Sequence, residues 1–452
     1  MNSHKGKLLV LLLVSAFVSN AYSATPPKYG GIVKYAVSQR SISLDPIKIL
    51  TFTEYYIASS IFDGLVRHGE GGTIIPCVAS SWDISEDQKV YTFQISESAK
   101  FHNGKKVTAS DVKYSWQRSL TNASSDVLAQ SKLALISGAS SYRSGKINDI
   151  PGLKVLDENS IEVSLDQDDS LFLESLTTPP TWIVSKKLVQ REDFNQHPIG
   201  SGPFKCAQLT GTDGEILHLE AYEEYVLGRP FLDDIILIFT PDFETALLQF
   251  ETDELDCLEV PNIEFGRLRN DPAWSSQLIS VVDKQLVCIQ INRKAFEKGI
   301  LTDVLKYGID VESILEMLYN QGTPLVSDYQ PEKAKKLVTE SQSKPIKLIV
   351  LDTDNDAVKI ADRISFDLLK IGITVNITPL NRQEFQNSLN DKSYALALRI
   401  LTLLSKDLSI NLFVPLFYQN INMLQKPELQ NLSNSAQNGV LQFDDMYILH
   451  LK

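Results

Sequence analysis

The chain has 452 residues, too many for one compact core and enough for two or three domains. Hydrophobic residues make up 43% and charged residues 22%, which excludes a disordered or collagen-like chain. A net charge of −13 makes nucleic acid and anionic lipid surfaces poor partners.

In chain order, the first segment is a leader. Lys5 and Lys7 precede an apolar run from Leu8 to Val18, broken only by Ser15, and Ala21 and Ser23 supply the small residues of a cleavage site. Cleavage is expected after Ser23, with export to the periplasm. The run is too short to span a bilayer. No Cys follows it, which argues against a lipid-attached mature end. Losing Lys5 and Lys7 takes the charge from −13 to −15.

Strands and helices then interleave. "VYTFQIS" alternates Tyr91, Phe93 and Ile95 on one face, and "SIEVSLD" does so with Ile161, Val163 and Leu165. "ILHLEAY" alternates from Leu217, and "DDIILIF" is a continuous apolar run that reads as a buried strand. Helices are predicted at 109–120, 242–251, 302–320, 331–341 and 356–370. "FHNGK" is turn chemistry centred on Asn103-Gly104. Thr108 and Asp111 after it form a capping box, and Val112, Trp116 and Leu120 follow on one helical face. Trp116 is expected in the core; Tyr114 and Arg118 lie on other faces and are open to function. "PIKLIVLD", "NDAVKIADRISFDLLKIG" and "ITVNITPL" make a β-α-β unit. Its helix carries Val358, Ala361, Ile364, Leu368 and Leu369 along one stripe, and Gly372 stops it. No internal repeat, low-complexity tract or long tether separates these elements.

Enzyme chemistry is poorly represented. The six histidines show no i, i+3 or i, i+4 pair and no HExxH, so no local metal site is expected. "GSGPF" at Gly200–Phe204 has Pro203 where a nucleophile elbow needs glycine. There is no P-loop and no GxGxxG, and no cofactor is expected. Acid pairs such as Asp168-Asp169, Asp233-Asp234 and Asp253-Glu254 read as solvated surface. Cys77, Cys206, Cys257 and Cys288 form no CxxC; three complete pairings and four buried thiols are equally compatible with their spacing.

Phe62 to Leu120, "FDGLVRHGEGG…SSWDISEDQKVYTFQISESAKFHNGKKVTASDVKYSWQRSL", resembles the hallmark segment of the family 5 extracellular solute-binding proteins. "HPIGSGPFK", "YEEYVLGRPFLDDIIL", "FETALLQFETDELD", "YQPEKAKKLV", "LLKIGITV" and "VPLFYQN" continue the match, and "VKYSWQR" is most similar to the oligopeptide branch. The resemblance implies an α/β, periplasmic binding protein-like fold, with two lobes on a hinge and an extra domain. Domain I would comprise 24–65, 197–280 and 414–452; domain II, 66–196; domain III, shortened, 281–413. It further implies a monomer that captures a short peptide between its lobes and delivers it to an ABC transporter permease in the inner membrane.

The ligand-binding residues that the resemblance suggests are Ser38, Tyr114, Arg399, Thr402 and Asp407. The family segment that holds the peptide's amino terminus corresponds to Tyr394–Phe413. Ungapped counting puts Leu401 at the family's Trp and Leu404 at its amine-binding Asp. Either the register shifts and Asp407 takes that role, or the amine anchor is absent; Arg399 is available to a ligand carboxylate. Relatives carry several tens more residues before "PLFY", and "LTDVLKYGIDVESIL" lacks the family's usual arginine. These departures keep two alternatives open. One is a non-peptide ligand such as a metal chelate, haem, glutathione or a murein peptide; the other is an exported interaction protein without transport. Bare nickel is disfavoured, because 281–413 contains no histidine.

Overall fold

A computed structural model describes residues 29–37, 42–69, 72–123, 125–128, 131–191, 193–210, 216–292, 300–319, 322–326, 328–338, 345–402, 413–430 and 446–449. The expected leader, Ser38, Leu404 and Asp407 lie outside the described residues, as does the side chain of Thr402.

The chain is mixed α/β, and among the described residues its main sheet has eleven strands. From one edge the order is Val375–Leu380, Ile346–Leu351, Leu396–Thr402, Leu278–Ile291, Phe413–Gln425, Cys257–Val260, Ile32–Val37, Asp234–Phe239, Ile216–Ala221 and Phe204–Thr210; Gly322–Pro324 pairs with Phe413–Gln425 off this path. Each end has its own parallel set. Ile32–Val37 lies parallel to Asp234–Phe239 and Cys257–Val260, forming the first flank. Ile346–Leu351 lies parallel to Val375–Leu380 and Leu396–Thr402, forming the second flank.

Two long antiparallel strands, Leu278–Ile291 and Phe413–Gln425, join the flanks as a ribbon. Val281 pairs with Ile421 beside the first flank, and Val287 pairs with Phe417 beside the second. The register shifts between Val281 and Gln285, where the ribbon passes from one flank to the other.

The predicted β-α-β unit is present, with Ile346 opposite Val375 in parallel register and the helix at Asn355–Lys370. Its buried stripe is rotated from the expected one. Ala357, Ile360, Ala361, Ile364 and Leu368 face the sheet, while Leu369 is 60% exposed. The stripe also includes Asp367, which is fully buried and accepts from Arg363 Nε (3.2 Å), Lys370 Nζ (3.0 Å) and the Asp310 amide (3.1 Å). The predicted 302–320 helix is two helices, Ile300–Gly308 and Val311–Met317. Asp310 caps the second by accepting from the Ser313 amide, so the chain restarts after Gly308.

A separate four-stranded antiparallel sheet has the order Ala79–Ile84, Val90–Ile95, Ser160–Ser164, Leu153–Val155. The helix Ala109–Asn122 packs into the same core, bringing Val112, Trp116 and Leu120 against Phe93, Ile161 and Val163. Its Thr108–Asp111 capping box is closed in both directions. Trp116 is fully buried and donates from Nε1 to the Thr181 carbonyl at 2.9 Å. Arg118 makes a two-pronged pair with Asp45, at 3.0 and 2.6 Å, joining this helix to the segment before the helix Phe52–Ile61.

The "GSGPF" motif also has a structural explanation. A Cβ at Gly200 would collide with the Ile61 carbonyl oxygen, and one at Gly202 would lie 2.7 Å from the Ile61 carbonyl carbon. His102 pins this loop: its Nδ1 accepts from the Gly200 amide at 3.3 Å, and its Nε2 lies 3.0 Å from the Gly202 carbonyl. Loss of hydration pushes the imidazole down to about 4, so it is neutral, with Nε2 donating. None of the four cysteines is in a disulfide. Among the described residues, no helix is long and apolar enough to cross a membrane.

Gly200→Ala is expected to destabilise the protein by about 3 kcal/mol, because backbone cannot yield as a side chain can. A urea melt checks this; an unchanged midpoint would show that the loop and the Ile61 turn separate freely.

Candidate functional site

Where the ribbon passes between the flanks, the structure encloses a cavity of about 120 Å³. Its walls come from both sides. Leu50, Thr51, Thr53 and Glu259–Asn262 belong to the first flank; Leu351, Thr353–Ala357, Phe385 and Leu398–Ile400 belong to the second. Gln285 and Gln419–Asn422 come from the ribbon that forms the floor.

Three contacts draw the flanks together. Arg382, opening the helix Arg382–Asp391, makes an ion pair with the fully buried Glu54 and donates to the Lys48 carbonyl at 2.6 Å. Glu54 also accepts from the Ser43 (2.8 Å) and Leu50 (2.6 Å) amides, so its carboxylate orders the loop before its own helix. Leu50 packs into the second flank's apolar cluster with Leu351, Phe385 and Leu389. Asp356 crosses the gap and accepts from the Asn262 amide (2.8 Å), the Asn262 Nδ2 (3.0 Å) and the Ile263 amide (3.1 Å). The helix Asn262–Arg269 has Pro261 as its N-cap, which offers no side-chain acceptor. Asp356 therefore supplies, from the other flank, the anion this helix N-terminus lacks.

The cavity wall holds two further acids. Glu259 is next to last in the strand Cys257–Val260 and accepts from the Thr53 hydroxyl at 3.2 Å. Asp354 is the N-cap of the helix Asn355–Lys370 and accepts from the Ala357 amide at 2.9 Å. Burial pushes Glu259 up to about 7, with repulsion from Asp354 adding to it. Burial, then repulsion from Asp356, pushes Asp354 up to about 7 as well. Burial also raises Asp356, against the amides that favour its charge.

Of the residues suggested from sequence, Arg399 lines this cavity. It is buried, donates from Nη1 to Gln290 Oε1 at 3.0 Å, and stacks near the Phe385 ring. Tyr114 is half-buried against the first-flank core with Lys186 over its ring, and is not among the cavity-lining residues. Glu259, Asp354, Asp356 and Gln419 are not singled out by the sequence. "DTDNDAV" does hold a signal, an N-cap acid followed by a first-turn acid, but nothing local shows that the structure buries Asp356 and half-buries Asp354.

Comparison with known proteins adds the following. The family model for bacterial extracellular solute-binding proteins, family 5 middle region, matches residues 73–409. The haem-binding protein A of Haemophilus influenzae is 27% identical over 411 residues, covering 80% of this chain and 72% of that protein. The dipeptide-binding protein of Escherichia coli is 25% identical over 390 residues, covering 76% and 71%. The structure of the Escherichia coli murein tripeptide binding protein superposes with a TM-score of 0.80 at 18% identity, covering 94% of this chain and all of that one. Listeria monocytogenes OppA bound to peptide gives 0.78 at 18% identity, covering 93% and 99%. These likenesses give the chain a two-lobed periplasmic binding protein fold.

The raised carboxyls set a pH dependence. Folded Glu259 and Asp354 hold protons to about 7, whereas the unfolded chain releases them near the ordinary carboxyl values. The folded state thus binds more protons, and ligand-free stability falls as pH rises from about 4 to about 7. Glu259→Gln is expected to stabilise the ligand-free protein at pH 8 by about 1–3 kcal/mol, with little change at pH 5. Chemical denaturation at both pH values checks this; equal effects at the two would show that Glu259 carries no buried charge.

Proposed function

The chain belongs to the family 5 bacterial extracellular solute-binding proteins, and from that premise we propose that it captures short peptides between its lobes and delivers them to an ABC importer. The observation that carries the reading is the cavity, walled by both flanks of the sheet, which we assign to the two lobes, and floored by the strands that connect them. Asn262, Gln285, Gln419, Asn420 and Asn422 line it. Their amide side chains can donate and accept, so they can pair with peptide main chain whatever the peptide's sequence. Relatives named as dipeptide- and di/tripeptide-binding proteins, from Escherichia coli and Pseudomonas aeruginosa, support a peptide as ligand.

In this reading 24–65, 197–280 and 414–452 form domain I, 66–196 domain II and 281–413 domain III. Lys5, Lys7 and the following apolar run act as an export leader, and the mature protein works in the periplasm beside an inner-membrane permease. Arg399 meets the ligand's carboxylate. Ser38, Tyr114, Thr402 and Asp407 are assigned to the ligand's remaining surface, on the resemblance alone.

Thermal unfolding of the mature chain against free peptides of two to five residues tests this. A peptide at a hundred times its dissociation constant adds about 2.7 kcal/mol, a plainly visible shift. Arg399→Ala is expected to weaken free peptides at least tenfold while sparing their C-terminal amides. A shift with haem or glutathione and with no peptide would replace the peptide reading by the non-peptide one favoured by the haem-binding relative.

A further inference from the structure

The cavity wall is unevenly supplied with hydrogen-bonding groups. Among the described residues, its charged groups are Glu259, Asp354, Asp356 and Arg399. Asp356 is occupied, since both its oxygens take N–H groups from Asn262 and Ile263. Glu259 and Asp354 are not saturated. One oxygen of Glu259 takes the Thr53 hydroxyl. Asp354 takes the Ala357 amide and is also met by the Asp356 amide; an ionised carboxylate has about four acceptor sites.

An independent feature of the floor points the same way. Gln419 is 3% exposed and gives its Nε2 to Gln285 Oε1 at 2.7 Å. That leaves Gln419 Oε1 buried with no hydrogen-bond partner. A buried orphan acceptor lining the same cavity as two unsaturated acids calls for a donor. These acids are not gathered as a metal site would gather them. The described His/Asp/Glu group with ligand atoms mutually within 4.8 Å is His218, Glu220 and Asp234, away on the outer strands. A donor-rich organic cation fits the wider spacing.

We propose that the cavity seats a cationic group of the ligand, an ammonium or guanidinium, against Glu259 and Asp354, with the orphan Gln419 Oε1 of the same cavity open to a further N–H of the ligand. This rests on the receptor reading above and names the ligand chemistry of that site. The group could be a peptide's amino terminus or a basic side chain, both being N–H donors with a positive charge. The site lies on the end of a domain I strand and on a helix start, outside the Tyr394–Phe413 segment.

Ionised acids hold a cation and neutral ones do not, so affinity should rise with pH through the range where Glu259 and Asp354 lose their protons. The titratable and charged groups around them are Asp356, Glu264, Arg399, the thiol of Cys257 and the buried phenols of Tyr35 and Tyr56. Burial holds both phenols and the thiol well above their ordinary values, leaving them neutral over this range.

Calorimetric titration with Ala-Ala-Ala, N-acetyl-Ala-Ala-Ala and N-acetyl-Ala-Lys-Ala, at pH 5.5 and 8.0, tests the proposal. At pH 8.0 at least one cationic peptide should bind ten times more tightly than the acetylated trialanine. The ratio should shrink several-fold at pH 5.5. It should approach one in Glu259→Gln and in Asp354→Asn. Both substitutions keep the side chain's shape, and the second also keeps a good helix cap, since asparagine caps as well as aspartate does. Which cationic peptide wins identifies the source of the charge. Equal affinities in the unaltered protein at pH 8.0, or a ratio retained in both variants, would overturn the proposal. Should no peptide bind at all, the peptide reading fails on its own; a spermidine-induced thermal shift, abolished by Glu259→Gln, would keep the cation site, and no such shift would remove it too.

Discussion

The antiparallel pairing of Leu278–Ile291 with Phe413–Gln425 is the constraint on which the rest of the molecule depends. Both strands are hydrogen-bonded over lengths that serve two different flanks, and each flank is completed by one end of the ribbon. A buried ladder cannot slip by one residue without turning every apolar side chain to the wrong face. The relative placement of the flanks therefore follows from backbone register. The register shift between Val281 and Gln285 is where the ladder relaxes, and the polar side chains of Gln285, Gln419 and Asn420 are gathered at that crossing.

Around this crossing the molecule gives up stability for chemistry. Well-packed apolar side chains would cost less than Glu259 and Asp354, whose burial works against their charge. Asp356 faces the same burial, but its three amide donors make it a structural tie between flanks. The contrast separates an acid that holds the protein together from acids that await something else. Glu54 belongs with Asp356, since it is met by Arg382 and by the amides of its own loop. A binding site built from unsatisfied groups is the usual form of the trade between stability and function.

What is legible in the sequence is local. The Thr108–Asp111 box, the alternation of Tyr91, Phe93 and Ile95, and the strand-helix-strand unit at 346–380 are written in short-range periodicity and capping, and they stand in the structure. The failures have the same origin. Apolar spacing that runs through Gly308 reads as one helix across 302–320, and it hides the Asp310 cap that restarts the chain. Leu369 reads as part of the buried face because a stripe defined by spacing can be turned by one residue without losing its period, and only tertiary packing fixes the angle. The site is least legible. Arg399 is found from the family segment, whereas Glu259 and Asp354 are separated by almost a hundred residues and meet only through the ribbon. Nothing near either one in the chain distinguishes it from a solvated surface acid.

The four cysteines, none of them in a disulfide, bear on how such a protein comes into being. Cys77, Cys257 and Cys288 are at most 2% exposed in the folded chain, where burial also keeps Cys77 and Cys257 protonated and inert. An oxidant can reach them only before the core closes. Cys257 lies on a first-flank strand and Cys288 on the ribbon. A covalent mispairing made in that interval would lock out the ladder that organises the whole sheet. Folding and oxidation are thus in competition for the same sulfur atoms. Among the described residues, burial and not a disulfide is what shields Cys77, Cys257 and Cys288 in the folded chain.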